Sequence, residues 1–160
     1  MKQEAREADY KILQISSTAF EANAGIPSRY TCDDINVNPP LTIEHIPEEA
    51  KSLAIIVEDP DAPSKTWIHW VMWNIPIRHE IKENEAPGVQ GLNDFNLHQY
   101  GGPCPPSGKH RYYFKVYALN DILELPAHTN ASQLEKAMSE HIISFGQLMG
   151  LYEKTKNSAD

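Results

Sequence analysis

Short apolar or alternating segments, separated by proline and glycine, make up the first three-quarters of the chain. Twelve prolines and eight glycines interrupt the sequence at intervals that suit strands and loops. Residues 52–58 contain a short apolar run rich in branched side chains, which is typical of a strand covered on both faces. The pattern as a whole predicts strands over residues 11–16, 41–46, 52–58, 68–75, 110–119 and 146–153.

One amphipathic helix is predicted after the strands. Ser132 followed by Glu135 matches a capping box, in which each side chain satisfies a free backbone donor of the first turn. Gly146 suits the C-terminal end of the helix. The side chains at helical spacing between these positions are Leu134, Ala137, Met138 and His141. Many strands with one late helix predict a mainly β fold, a sandwich with the helix at its edge or end.

The length and composition of the chain limit its organisation. A chain of 160 residues with 41% hydrophobic and 22% charged residues fits one globular domain. We therefore expect a single domain over residues 10–154, with tails at residues 1–9 and 155–160.

The charge of the chain excludes several classes of partner. The net charge is −8 and no segment concentrates lysine and arginine. A nucleic-acid-binding protein needs a basic surface to displace counterions from phosphates, and an anionic membrane surface would repel this protein. Any anionic ligand must therefore be held by a local pocket.

Sorting signals and cysteines give an expected location. The charged N-terminus contains no signal-peptide pattern, and no apolar run is long enough to span a membrane. Two cysteines are too few for a disulfide-rich secreted scaffold. We expect a cytoplasmic protein in which Cys32 and Cys104 are reduced, although the sequence leaves open a single bridge between them.

A stiff acidic loop follows the predicted buried strand. Residues 58–63 read Glu-Asp-Pro-Asp-Ala-Pro, and each proline fixes its own φ and restricts the preceding residue. Such a loop can hold the carboxylate of Asp59 in one position for a ligand. The alternative is a local turn in which Asp59 and Asp61 accept backbone hydrogens.

A histidine lies in the next apolar strand. Strand alternation predicts that His69 shares a face with Val71 and Trp73. A lone histidine in such a strand is often only a buried core residue, but His69 comes ten residues after Asp59. A return of the chain to the same sheet end would bring the two side chains together.

A second loop rich in glycine and proline precedes the aromatic strand. Gly101 and Gly102 allow close backbone approach, and exposed backbone donors there could form an anion-binding nest. His110 and Tyr112 share one face of the following strand and supply side-chain donors. Arg111 points to the opposite face, which favours a structural ion pair over a ligand contact.

Together these motifs resemble the signature of the phosphatidylethanolamine-binding family. They are Asp-Pro-Asp-Ala-Pro, then Trp-x-His-Trp, then Gly-Gly-Pro-x-Pro-Pro-x-Gly-x-His-Arg-Tyr, and they are most similar to the bacterial and archaeal branch described as Raf-kinase-inhibitor-like. The resemblance implies a Greek-key β-sandwich of two antiparallel sheets with one or two peripheral helices. Asp34 departs from the pattern, which usually has glycine there, and we do not expect the C-terminal helix of the animal members after Tyr152.

The resemblance also implies a shallow pocket for phosphate-like groups, no cofactor and, from the prokaryotic branch, a homodimer. It assigns ligand binding to Asp59, His69, Gly101, Gly102, His110 and Tyr112. Supporting positions are Pro60, Asp61, Trp67 and Arg111. No catalytic or metal-binding residues are implied.

A carboxylate beside a phosphate requires an intervening proton or cation. Unperturbed histidine titrates near pH ~6.5, and a neighbouring carboxylate favours the imidazolium form. We therefore expect Asp59 to orient and charge one of the histidines, which donates to the anion. Anion affinity should then weaken between about pH 6 and pH 9.

Three alternatives remain open from the sequence. A hydrolase could use Cys104 as nucleophile with His110 or His69 as base. A metal could bind Asp59, Asp61, His69 and His110, although no short ligand pair supports this. A protein-interaction module that inhibits or modulates a kinase or protease is compatible with the same pocket.

Overall fold

The computed structural model describes residues 11–154, in which nine strands and one α-helix form a β-sandwich. The longer strands match the predicted ones. The strands are β1 (Lys11–Ile12), β2 (Gln14–Ser16), β3 (Leu41–Glu44), β4 (Ser52–Asp59), β5 (Trp67–Ile75), β6 (Glu80–Ile81), β7 (Val89–Gln90), β8 (Lys109–Leu119) and β9 (Ile142–Glu153). The helix is α1 (Ala131–Met138), and a 3₁₀ turn spans Ser28–Tyr30.

The strands form two sheets. The larger sheet has the order β1-β9-β8-β4-β5-β7 and the smaller one β2-β3-β6. The edge pair β1–β9 is parallel, and all other pairs are antiparallel. Leu13 separates β1 from β2, so the first segment of the chain belongs to both sheets. The predicted mainly β sandwich with a peripheral helix is confirmed.

The larger sheet is covered on both faces. Leu53, Ile55 and Val57 of β4 belong to the core between the two sheets. Ala54 and Ile56 belong to a second core, which includes side chains of helix α1. The prediction that residues 52–58 form a strand buried on both faces is therefore confirmed. Three strands of this covered sheet, β4, β5 and β8, position the candidate site.

The helix is shorter than predicted and starts at a different cap. The side chain of Asn130 accepts a hydrogen bond from the Gln133 backbone, and the Gln133 side chain accepts one from the Asn130 backbone, so the predicted Ser132–Glu135 box is wrong. Helix α1 ends at Met138, and Gly146 lies in β9 rather than at a helix end. A Cβ at Gly146 would lie 2.2 Å from the Leu13 carbonyl oxygen, so glycine here allows the first segment to cross closely.

The two cysteines form a disulfide bridge. Cys32 and Cys104 have a Cα–Cα separation of 5.4 Å and lie 72 positions apart in sequence. The expectation of two reduced thiols is therefore wrong, and the bridge that the sequence left open is present. Sequence spacing could not reveal this pairing because the two loops meet only through the fold.

Within residues 11–154, no helix combines the length and apolar character that crossing a membrane requires.

Candidate functional site

The predicted site residues converge at one end of the larger sheet. Strand β4 ends at Asp59, which is paired with Trp67 at the start of β5. Strand β8 is the other neighbour of β4 and begins just before His110. Because adjacent antiparallel strands bring the end of one beside the start of the next, residues distant in sequence meet here.

Asp59 and His110 form a buried pair at this end of the sheet. Nδ1 of His110 lies 2.7 Å from Oδ2 of Asp59, and the two residues are only 7% and 3% exposed. Oδ1 of Asp59 accepts a hydrogen bond of 2.8 Å from the Asp61 backbone. The local turn, which the sequence left as the alternative to a ligand-binding role, therefore forms at one oxygen of the carboxylate, and the other oxygen contacts His110.

His69 reaches the site through an irregularity in strand β5. Val57 is paired with Trp70 and Glu58 with Ile68, so His69 is the unpaired extra residue of a β-bulge. The bulge turns the imidazole onto the ring of Tyr112, at 5.3 Å between centroids. Tyr112 belongs to the core between the sheets, whereas Val71 and Trp73 belong to the other core. The predicted common face of His69, Val71 and Trp73 is therefore wrong.

The protonation state of His69 follows from its surroundings. Nδ1 lies 2.7 Å from the Gly101 carbonyl oxygen, which can only accept a hydrogen bond, so Nδ1 carries the proton. Burial lowers the pKa of His69. The neutral imidazole therefore presents the lone pair of Nε2 as a hydrogen-bond acceptor.

Tyr112 places a hydroxyl group without a partner in the site. The residue is 1% exposed, and its hydroxyl forms no hydrogen bond of ordinary geometry with the described residues, although the Asp59 carboxylate and the Cys104 backbone lie close to it. The ring stacks on that of His110 at 6.4 Å between centroids. Burial, together with the nearby Asp59 carboxylate, raises the pKa of Tyr112. The hydroxyl therefore remains protonated.

A cavity of about 220 Å³ opens beside these polar groups. We call it the site cavity. Its walls are mostly carbon atoms of proline and aromatic side chains, whereas Asp59, His69 and Tyr112 supply polar atoms. The lining residues are Asp59, Ala62, Pro63, Trp67, His69, Phe95, Cys104, Pro105, Pro106 and Tyr112. His110 is not among them, so its contact with Asp59 is its link to the cavity.

The two glycines of the second motif do not form the expected anion nest. The amide of Gly101 donates to the His69 carbonyl oxygen at 3.0 Å, and the amide of Gly102 donates to Oδ1 of Asn36 at 2.8 Å. Both donors are therefore occupied, and the expectation is wrong. A Cβ at Gly102 would lie 2.2 Å from the Tyr30 carbonyl oxygen, so glycine here permits close packing of two loops.

Both glycines line a neighbouring cavity of about 140 Å³, which we call the apolar hollow. Phe95 and Cys104 line the apolar hollow and the site cavity alike, so the two adjoin. Cys32 also lines the hollow, and its disulfide to Cys104 ties together the loops on either side.

The supporting positions have distinct surroundings. Arg111 points away from the cavity and forms a two-point ion pair with Asp61, at 2.8 and 2.9 Å, as predicted. The Arg111 guanidinium lowers the pKa of Asp61 to about 2. Pro60 lines a different, outer surface hollow beside Arg111. Trp67 lines the site cavity and meets Phe95 edge to face at 5.6 Å.

The sequence patterns missed Phe95. This residue contacts the rings of both Trp67 and His69 and lines the site cavity. It lies in an irregular segment held by Asn93, whose side chain accepts from the Phe95 backbone and donates to the His69 carbonyl oxygen. The Asn-Asp-Phe-Asn sequence indicates such a turn but gives no sign that the turn packs against β5.

The structure argues against both the hydrolase and the metal-site alternatives, for different reasons. A Cys104 nucleophile is wrong, because its sulfur is bonded to that of Cys32. For metal binding, two of the suggested ligands already have other partners, since Asp61 pairs with Arg111 and Nδ1 of His69 with Gly101. In the part of the chain that the structure describes, no group of three or more His, Cys, Asp or Glu residues is arranged to hold a metal ion.

Comparisons with known sequences agree with the motifs. A family model described as phosphatidylethanolamine-binding protein matches residues 16–153. A UPF0098 protein of Pyrococcus abyssi is 52% identical over 149 residues, which are 86% of this chain and 84% of the relative. A UPF0098 protein of Methanothermobacter thermautotrophicus is 45% identical over 150 residues, covering 89% of this chain and 99% of the relative.

Solved structures share the fold. The crystal structure of a phosphatidylethanolamine-binding protein homolog from Chlamydia trachomatis superimposes with a TM-score of 0.87 at 42% identity, covering 90% of this chain and 99% of that one. The crystal structure of Escherichia coli YbcL is described as that of a new member of the mammalian PEBP family. It superimposes with a TM-score of 0.84 at 28% identity, covering 91% of this chain and 100% of that one.

Proposed function

This chain belongs to the phosphatidylethanolamine-binding protein family, and from that premise we propose that it binds a small phosphate-bearing anion in the site cavity. The ligand is inorganic phosphate or the phosphoryl group of a larger molecule, such as a phosphorylated head group. The net charge of −8 means that local groups must hold the anion against the overall field.

The Tyr112 hydroxyl is the observation that supports this proposal most strongly. A buried hydroxyl without a hydrogen-bond partner costs about 1–3 kcal/mol, so such groups are rare unless a ligand or water completes them. The hydroxyl lies on a residue that lines the site cavity. A phosphate oxygen accepting its proton would remove that cost.

The carboxylate of Asp59 determines which ionic form of phosphate is bound. A fully ionised anion beside Asp59 would be repelled, but a phosphate that keeps one proton can donate it. Asp59 itself or the bare Nε2 of His69 can accept that proton. His110 holds Asp59 in place through the hydrogen bond of 2.7 Å. The site therefore favours a protonated phosphate over an anion that has no proton to donate.

The walls of the cavity limit the size of the bound group and strengthen its hydrogen bonds. A cavity of about 220 Å³ accommodates a phosphate or a small head group. Its proline and aromatic walls are mostly apolar, and electrostatic interactions are stronger beside such walls than in bulk solvent.

Thermal unfolding with phosphate and with sulfate tests the proposal. Sulfate has a similar size and shape but no proton near neutral pH. Phosphate at about 100 times its dissociation constant should raise the melting temperature of the wild type by roughly 5–10 °C, and sulfate should raise it less. The effect should weaken from about pH 6 to pH 9, because inorganic phosphate loses one of its two protons over this range and a phosphate monoester, whose second pKa is about 6, loses its only one.

Tyr112→Phe gives the decisive variant. Loss of an unpaired buried hydroxyl should leave the unliganded melting temperature unchanged or higher, while the phosphate-induced shift should largely disappear. Tyr113→Phe is the matched control, because Tyr113 lines the outer hollow rather than the site cavity and should keep the full shift. An undiminished shift in Tyr112→Phe, or none in the wild type with any phosphate compound, would contradict the proposal.

The site also supports the expectation that the protein is not an enzyme of the Cys/His type.

The homodimer and the cytoplasmic location stay predictions, which light scattering and cell fractionation test. The Cys32–Cys104 bridge makes the second test informative, because disulfides are rare in cytosolic proteins outside hyperthermophiles.

A further inference from the structure

A polar cavity of about 310 Å³ lies beyond the apolar hollow, and we call it the polar hollow. Most of its lining side chains are carboxamides from three segments: the loop after the 3₁₀ turn, the loop before β7, and β7 itself with the chain that follows. The lining residues are Asn36, Val37, Asn38, Asn84, Glu85, Ala86, Gln90, Gln99 and Tyr100.

The amide group of Asn36 is fixed with its nitrogen as a donor. Oδ1 accepts a hydrogen bond of 2.8 Å from the Gly102 backbone, which can only donate. This partner identifies one end of the amide group as the oxygen, so the other end is the NH₂ group, which can donate hydrogen bonds. The half-buried side chain forms no further hydrogen bond within residues 11–154, and the Asn36 backbone amide donates to the Arg29 carbonyl oxygen at 2.9 Å.

Gln90 is fixed in the same way on the other side of the polar hollow. Its Oε1 accepts a hydrogen bond of 2.7 Å from Nε1 of Trp70, an atom that can only donate. The Gln90 NH₂ group is therefore also oriented and has no partner in the described part of the chain. Two positioned donors thus line one cavity, and a complementary ligand must offer acceptors.

The polar hollow adjoins the apolar hollow, which in turn adjoins the site cavity. Asn36, Gln99 and Tyr100 line both the polar and the apolar hollow. Phe95 and Cys104 line both the apolar hollow and the site cavity. A single extended ligand could therefore contact all three in sequence.

We propose that the polar hollow is a second binding site, which takes the backbone carbonyl oxygens of an extended polypeptide segment through Asn36 and Gln90. Resting on the proposed function, the same segment carries a phosphorylated side chain that enters the site cavity. A phosphorylated peptide is thereby the ligand class that uses the three cavities together.

The chemistry of the two hollows favours a peptide over a phospholipid. Acyl chains offer no acceptors to the carboxamides, and the apolar hollow of about 140 Å³ is too small to shelter two of them. A peptide presents one carbonyl oxygen per residue and can place a small side chain against Phe95 and Leu97. It also needs no basic surface, which the chain lacks.

Two isosteric substitutions remove the donors and keep the structural bonds. In Asn36→Asp and Gln90→Glu, an oxygen still accepts from Gly102 or Trp70, but the NH₂ group becomes a second oxygen. Gln99→Glu is the matched control, because it adds the same charge to the polar hollow at a side chain that no hydrogen bond fixes. All three variants should fold, since none removes an acceptor that the fold uses.

The probe is a capped alanine heptapeptide with a central phosphoserine, titrated into ¹⁵N-labelled protein and followed by NMR. The side-chain amide signals of Asn36 and Gln90 should shift with the heptapeptide but not with free phosphoserine. Each isosteric variant should weaken heptapeptide binding about three- to tenfold and leave phosphoserine binding unchanged, while Gln99→Glu changes both little.

Further probes separate the possible failures. If the unphosphorylated heptapeptide still shifts the two amide signals while no phosphate compound binds, the second site stands and the proposed function fails. If phosphoserine and the phosphorylated heptapeptide bind equally and the variants have no effect, the second site is overturned. Tighter binding of dihexanoyl phosphatidylethanolamine, with shifts at Asn36 and Gln90, would overturn the peptide assignment.

Discussion

The imidazole of His69 is buried, neutral and held by one hydrogen bond to the Gly101 carbonyl oxygen. The aromatic rings of Phe95 and Tyr112 meet it edge to face, at 5.4 and 5.3 Å between centroids. Protonation would place a charge among these rings, and the cost of that charge is the reason for the lowered pKa. A ligand at this site therefore meets an acceptor at His69 rather than a cation.

This burial links His69 to stability against acid. Its pKa is lowered in the folded state, so the unfolded chain takes up a proton near pH ~6.5 before the folded chain does, and stability falls as the pH decreases. His69→Asn retains a donor for the Gly101 carbonyl oxygen but does not titrate. Between pH 7.5 and 5.5 the wild type should lose about 1 kcal/mol more of unfolding free energy than the variant.

Urea denaturation at the two pH values, in buffer without phosphate, measures this difference. The other histidines contribute equally to both proteins and cancel in the comparison. Equal losses in the wild type and in His69→Asn would mean that the folded protein binds the proton on His69 as readily as the unfolded chain does.

Strand alternation predicted the sheet face of some site residues and failed for others. It placed His110 and Tyr112 on one face and Arg111 on the other, because β8 is regular there. It failed for His69, because no local pattern marks a bulge whose cause is the pairing of β5 with β4. The roles of Gly101 and Gly102 were equally hidden, since their amide partners come from distant segments.

Among the secondary-structure elements, length decided what the sequence could predict. The long strands carry enough apolar alternation to be recognised, whereas β6 and β7 contain two residues each and exist only through pairing with β3 and β5. The helix was misjudged at both ends. Residues after Met138 fit a helical pattern, but strand β9 gains a full ladder with β8, and that pairing outweighs local preference.

The first turn of helix α1 offers a direct test of the observed cap. Asn130→Ala removes the side chain that accepts from the Gln133 backbone and should lower the unfolding free energy by about 1 kcal/mol. Ser132→Ala is the matched control, because Ser132 lies inside the helix and should change it by less than about 0.5 kcal/mol. Urea denaturation of both variants measures the two changes, and the opposite order would restore the box predicted from the sequence.

For the whole molecule, the disulfide joins two loops that the β-sandwich already brings together. The backbone of Cys32 donates to the Pro103 carbonyl oxygen at 3.1 Å, and the Tyr100 hydroxyl donates to the Tyr30 carbonyl oxygen at 2.8 Å. These bonds hold the loops in contact without the bridge. The covalent link should therefore act mainly on the unfolded chain, whose freedom it restricts, rather than on the shape of the cavities.

Removal of the bridge should therefore affect the stability of the protein more than its binding of phosphate. Cross-linking positions 72 residues apart lowers the entropy of the unfolded chain, so Cys32→Ser with Cys104→Ser should cost about 2–4 kcal/mol of unfolding free energy. The dissociation constant for phosphate should change less than about threefold, because Asp59, His69 and Tyr112 are held by the sheet. Chemical denaturation of the double variant and of the reduced wild type measures the first quantity, and calorimetric titration with phosphate measures the second. A large loss of affinity with little loss of stability would instead show that the bridge shapes the cavity wall at Cys104.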